Sequence, residues 1–303
     1  MSARRNALLF LALAVVWGSA FVAITAGLEY FPPVLFAALR YDVAGVLMLA
    51  YAYVATDQPL PRGRDQWLVV AIGAALLIAA YHALLFVGQQ HTTSATAAIV
   101  VSLSPVLTTG FARIVLPSER MTTVGLLGLA LGLVGVGLIA RPDPDNLLAP
   151  EAAGVPLIAG AAAAFALGSV LTRRADTDLP TITMEAWAML GGAAMMHAAS
   201  LAMPSESISD VTLTAEALLA IGYLSVVASA AGFLLYFALL DRLGPIEVNL
   251  VSYVAPIVAA VVGWLLLGET VDALTVAGFC TIAAGFALVK RRALAEEVAA
   301  LRA

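Results

Sequence analysis

The chain has 303 residues, 62% hydrophobic and only 12% charged, with a net charge of −5. Soluble domains run near 45–50% apolar and about 25% charged, so a soluble enzyme or nucleic-acid-binding module is excluded in favour of a polytopic membrane protein. A single cysteine, Cys280, excludes a disulfide framework and a cysteine-based metal site; among apolar neighbours it reads as buried packing.

Each bilayer crossing takes about 20 apolar residues, and the apolar windows are taken in chain order. The first, 7–27, follows Arg4-Arg5 like a secretory signal but runs on through Phe21-Val22-Ala23-Ile24, long enough to span. It carries Trp17-Gly18-Ser19. Trp17 sits too deep for an interfacial belt and is a candidate to stack on a substrate that Ser19 would hydrogen-bond; close helix packing is the alternative for Gly18-Ser19. Window 34–55 carries Arg40. A bare guanidinium at that depth costs at least ~2.5–3.5 kcal/mol. Asp42 lies roughly 200° away around the helix, so Arg40 needs another partner: a carbonyl, a lipid phosphate or a substrate carboxylate.

Window 67–87 holds Tyr81-His82, with Gln89-Gln90-His91 past its end. His82 is a candidate to bind substrate or relay a coupling proton, against the plainer reading of a histidine bonded to a neighbouring helix. Window 94–116 places Pro105 mid-way and Glu119 just beyond. Window 122–140 is laced with Gly125, Gly128, Gly132, Gly135 and Gly137. Gly128-xxx-Gly132 serves either intrachain packing or a homodimer face.

Arg141-Pro142-Asp143-Pro144-Asp145-Asn146 is the most polar connection and divides the chain into 1–145 and 146–303. Windows 153–173, 180–202, 215–239, 245–267 and 273–290 follow. Leu167-Gly168-Ser169 mirrors Trp17-Gly18-Ser19. Glu185 and Glu247 lie near span ends, within reach of water, and His197 lies near an interface. Tyr236, Tyr253 and Trp264 are cavity walls or interfacial anchors. Glu119, Gly128 and Gly135 fall on Glu269, Gly278 and Gly285, each 150 residues on, and Pro105 answers to Pro256.

Self-similarity on this scale means duplication. Five spans per half is odd, so the second repeat must enter the membrane from the opposite face. The expected fold is an all-α integral membrane protein of ten transmembrane helices in two inverted five-helix repeats. With the N-terminus inside, thirteen of the fifteen basic residues fall on the cytoplasmic side, leaving Arg40 in a span and Arg141 outside. Both termini are then cytoplasmic, in the plasma membrane. Pro105 and Pro256 become hinges or static bends at matched depth, and Glu119 and Glu269 end on opposite faces.

Trp17-Gly18-Ser19-Ala20-Phe21, Arg40-Tyr41, Pro105 with Glu119, and Pro256 with Leu267-Gly268-Glu269 form an ordered set from about Ala7 to Val289. In this set the chain resembles EamA-type members of the drug/metabolite transporter superfamily. Leu116-Pro117-Ser118-Glu119 departs from the family's Leu-Gly-Glu by one extra residue. The resemblance implies a secondary transporter with a substrate cavity between the repeats; members move amino acids, other metabolites, nucleotide sugars or drugs, and many are exporters. There is no phosphate loop, metal-spaced cluster or ATP-binding domain, so no enzyme, cofactor or metal is expected. The expected partners are a small-molecule substrate and the lipid bilayer, with a coupling proton and a second copy as candidates and no nucleic acid. A non-transporting scaffold or receptor, and a passive channel, are the alternatives.

Overall fold

The computed structural model describes residues 3–116, 123–141, 150–175, 177–289 and 291, and their long elements are all helical. In hydrocarbon no water is at hand for the backbone, and a helix satisfies its amides internally. We label the helices α1 (Ala3–Gly27), α2 (Pro33–Ala55), α3 (Gly63–Gln89), α4 (Ser94–Val115), α5 (Thr123–Ala140), α6 (Gly154–Ala175), α7 (Thr181–Ala202), α8 (Ala215–Leu240), α9 (Glu247–Leu267) and α10 (Ala273–Val289). Eight of these, α1 to α6 with α8 and α9, are long and apolar enough to cross a membrane. Helix α7 is 22 residues long, but Glu185, Trp187 and His197 leave it more polar. Helix α10 is apolar but shorter.

Side chains, one from elsewhere in the chain and two at the N-cap, close several helix starts. The Val34 and Leu35 amides at the start of α2 donate to the Glu206 carboxylate at 2.8 and 3.0 Å, and Thr93 and Thr214 accept from Thr96 N and Ala217 N to cap α4 and α8. Both α3 and α8 widen into π-helix, at Gly73–Ala80 and Tyr223–Ala231. The two prolines play different local roles. Helix α4 breaks after Val101, and Pro105 sits in the first turn of its second piece, Ser104–Val115, where a missing N–H costs nothing. Pro256 lies inside the unbroken run Val251–Leu267.

Packing alternates between the halves of the chain. Helix α1 lies on α8 and α9, and α6 lies on α3 and α4; α2 packs on the π-turns of α8, and α7 on those of α3. The glycines of α5 face α10. A Cβ on Gly128 would sit 2.7 Å from Gly285 O, and one on Gly285 would sit 2.6 Å from Gly128 O; Gly135 and Gly278 meet the same way at 2.7 and 2.8 Å. Gly132 faces Leu103 of α4. The glycine stripe is therefore used within the chain. Gly285→Ala should push the helices apart and lower the thermal stability in detergent by about 1–3 kcal/mol. An unchanged melting curve would mean that the close crossing contributes nothing.

Cys280 is exposed, not buried as its neighbours suggested. Apolar neighbours cannot tell a core face from a lipid face, and this surface is apolar throughout: Val54, Leu201 and Leu266 are 88%, 89% and 72% exposed.

Asp272 joins α5 to α10 by accepting from Thr275 N at 2.9 Å and pairing with Arg141. The Thr275 amide first, then Arg141, hold its carboxyl below the usual aspartate range. This contribution is present above the unfolded pKa and is lost as pH falls through the folded one. Asp272→Asn should therefore reduce the loss of thermal stability as pH falls below the unfolded aspartate pKa of about 4.

Candidate functional site

Helix α2 carries Arg40 into the interior, where it is 6% exposed. Its Nε donates to Ser229 Oγ at 2.8 Å, and Ser229, in the π-segment of α8, is fully buried. Neither terminal nitrogen of the guanidinium makes a hydrogen bond among the described residues. The Tyr41 ring lies 5.1 Å below the guanidinium carbon. In place of the carbonyl, lipid phosphate or substrate carboxylate considered for Arg40, the structure supplies a hydroxyl, and for one nitrogen only. Asp42 turns away, as its angle on the helix requires, and pairs with His197 at 2.7 Å.

His82 is 5% exposed and uses both ring nitrogens. Nδ1 lies 2.9 Å from Ile78 O, and Nε2 lies 2.7 Å from the Tyr41 hydroxyl. A carbonyl only accepts, so Nδ1 carries the hydrogen, and in the neutral ring Nε2 accepts from Tyr41. Tyr81 stands edge-on to His82 with ring centroids 4.4 Å apart, and its other side meets Phe165.

The equivalent place in the second half is filled differently. Ala228 lies 150 residues after Ile78, and Gly232 lies 150 after His82. The Ala228 carbonyl is taken by Trp17 Nε1 at 3.2 Å. A Cβ on Gly232 would sit 2.8 Å from that same nitrogen. An indole from α1 thus occupies the space that the missing side chain leaves, and donates to the carbonyl that an imidazole serves in α3. π-Turns loosen the helical ladder and are common at functional sites. Here the α8 turn presents Ala228 O to Trp17 and Ser229 Oγ to Arg40, tying α1 and α2 to one point. Trp17 stacks on Tyr236 at 5.3 Å and meets Phe233 edge-on at 6.0 Å.

Four other expected residues lie apart from this centre or bond elsewhere. Ser19 bonds Val15 O at 2.5 Å and the Tyr223 hydroxyl at 2.6 Å. Ser169 bonds back to Phe165 O on its own helix. Tyr253 packs on Phe286, and its buried hydroxyl has no partner among the described residues, as is true of Ser225 Oγ. Trp264 is 62% exposed. Glu185, 8% exposed on α7, makes no hydrogen bond among the described residues. A concavity of about 420 Å³ lined by Arg62, Arg64, Asp65, Gln66 and Asp178 lies at the α2–α3 and α6–α7 turns, away from Arg40.

Glu119 lies outside the described residues. Glu269 joins a polar chain at one end of the molecule: its carboxylate accepts from Ser94 N at 3.0 and 3.1 Å and from Ser94 Oγ at 3.0 Å. Ser94 Oγ meets Thr25 Oγ1 at 2.9 Å, and Gln89 Nε2 reaches Thr25 Oγ1 at 2.8 Å and Phe21 O at 2.5 Å. Sequence reading missed Ser229, Thr25 and Ser94, because a hydroxyl carries no signal until its partner is known.

Comparisons with known proteins agree with this architecture. The sequence model of the EamA-like transporter family matches twice, over residues 4–141 and 152–291. The uncharacterized transporter YvbV of Bacillus subtilis is 27% identical, over 98% of this chain and 95% of its own. The uncharacterized inner membrane transporter YedA of Escherichia coli (strain K12) is 29% identical, over 86% of this chain and 82% of its own. A protein of Streptantibioticus cattleyicolor named a probable terminal-alkyne amino-acid exporter is 30% identical, over 92% of this chain and 91% of its own. One solved structure, described only as a protein crystal structure, covers 98% of this chain and all of its own at a TM-score of 0.66 and 22% identity.

Proposed function

Since this chain belongs to the EamA-like transporter family, we propose that it is a secondary transporter exporting a small amino-acid-like metabolite by alternating access. In this reading α1 to α10 are ten spans, with both termini cytoplasmic. Residues 1–145 and 146–303 are inverted repeats around one central site. The reciprocal contacts Gly128–Gly285 and Gly135–Gly278 support the two-fold relation, as do the π-segments starting 150 residues apart.

The observation that carries the reading is Arg40: a buried cation whose terminal nitrogens make no hydrogen bond among the described residues. Uncompensated charge at such depth is expensive and is kept where it meets a ligand or a partner. A substrate carboxylate would offer the fork its planar, bidentate match, with Trp17, Tyr81 and Tyr236 giving apolar walls. Glu185 supplies a buried carboxyl for a substrate amine. The amino-acid exporter named among the relatives fits this chemistry. Reconstituted protein should show saturable flux of a carboxylate-bearing metabolite in a screen of amino acids and aromatic acids. Well-folded protein that moves none of them would contradict the proposal.

The double engagement of His82 supports a structural role for it, holding Tyr41 under Arg40, and leaves the energy source to another group or to exchange. His82→Gln is therefore expected to lower thermal stability but to keep any response of flux to an imposed pH gradient. Loss of that response would return the coupling proton to His82.

A further inference from the structure

We propose that Glu269 is a latch holding one end of the molecule closed, through a relay of polar side chains that the duplicated positions of the chain do not repeat. The latch is built in three steps. Helix α9 ends on Gly268, whose left-handed conformation (φ 67°) turns the chain back on itself. Gly268 N then donates to Trp264 O and Glu269 N to Gly263 O, both at 3.2 Å, the first being the bond of a left-handed helix ending. The returning carboxylate lies over Gly263, where a Cβ would come within 2.5 Å of Oε2. Glycine is needed at both places, once for the turn and once for the space.

From that seat the carboxylate crosses to the other half of the chain. It takes the first amide and the hydroxyl of α4 at Ser94, and the chain of contacts runs on to Thr25 at the end of α1 and Gln89 at the end of α3. Charge-assisted hydrogen bonds are about twice as strong as neutral ones, and here two donors, the Ser94 amide shared between both oxygens and the Ser94 hydroxyl, converge on one carboxylate. Four helices from both halves are thereby joined at one level. Any opening of this end that parts α9 from α4 must break these bonds. In the orientation proposed above this is the external end.

The duplicated positions on the other side are different. Thr25, Gln89 and Ser94 correspond, 150 residues on, to Ala175, Leu239 and Gly244. None of these has a polar side chain. The first half also carries Pro117-Ser118 before Glu119, where the second has Gly268 before Glu269. The polar relay of Thr25, Gln89 and Ser94 is therefore not repeated at the duplicated positions.

The purpose of the latch rests on the transporter reading, but its geometry does not. The test is a distance measurement by pulsed electron paramagnetic resonance on the full chain in lipid nanodiscs, without substrate. Spin labels are placed at Thr92→Cys and Val271→Cys, with the single native thiol removed by Cys280→Ala. The unsubstituted latch should give mainly the short distance. Glu269→Gln keeps the size and removes the charge, and should raise the ratio of long to short distances roughly tenfold or more. Ser94→Ala should raise it less, and it also serves if the first variant folds poorly. An unchanged distribution in both variants, even with reduced thermal stability, would reduce Glu269 to a static helix cap. A long distance predominating before substitution would overturn the latch. A shift in the variants without flux in the parent would leave the latch standing and remove the transport reading. Flux without a shift would do the reverse.

Discussion

Arg40→Gln is expected to raise the half-saturation concentration for a carboxylate-bearing substrate by about ten- to a hundredfold, because hydrogen bonds to charged groups are worth about 1.5–3 kcal/mol each. The control is Ser229→Ala, which removes the 2.8 Å internal bond but leaves the guanidinium in place. It should affect saturation much less, since Nε and not the terminal nitrogens is involved. Arg40→Lys keeps the charge but loses the planar fork and should fall between the two. These measurements need only saturable uptake into vesicles, with a neutral analogue alongside. A neutral analogue that suffers as much as the acid would make Arg40 a structural anchor.

Trp17→Ala should be the most destabilising single change at the site. It removes the ring that seals α1 against α8 and leaves the Ala228 carbonyl of the π-segment unpaired. Truncating a fully buried tryptophan typically costs about 3–5 kcal/mol, and the partly buried Trp17 should fall toward the lower end of that range. Trp17→Phe keeps most of the packing, including much of the stack on Tyr236, and loses only the N–H; about 1–3 kcal/mol is expected. Thermal unfolding in detergent should rank the two in that order. Equal effects would mean that the donor contributes nothing, and no effect from either would show the ring to be an idle filler of the Gly232 gap.

The chain's gross organisation was legible because membrane insertion demands long apolar runs, and because duplication leaves glycine, proline and glutamate in register. The α5–α10 contact could be anticipated as a small-residue stripe, though sequence could not decide whether it would be used within the chain or between copies. The π-segments were invisible, since Gly73–Ala80 and Tyr223–Ala231 are compositionally ordinary apolar helix. So was the exchange of His82 for Trp17, which depends on a gap at Gly232 closed by a helix more than 200 residues away. Arg40 was found by its cost in hydrocarbon, but Ser229 was not, because a serine in a span has many uses. Pro105 and Pro256 looked alike, yet one begins a helix piece and the other sits inside one. Proline marks where an amide is missing, and the surroundings decide whether anything bends.

The central claim, one site reached in turn from either face, is tested most directly by two-sided labelling of Tyr81→Cys in a Cys280→Ala background, in oriented vesicles with a membrane-impermeant maleimide. Alternating access predicts labelling from both faces, and Glu269→Gln should raise the external rate while lowering the internal one. Labelling from neither face would fit a dry scaffold. Rates that rise together at both faces would fit a channel, and either result would contradict the account.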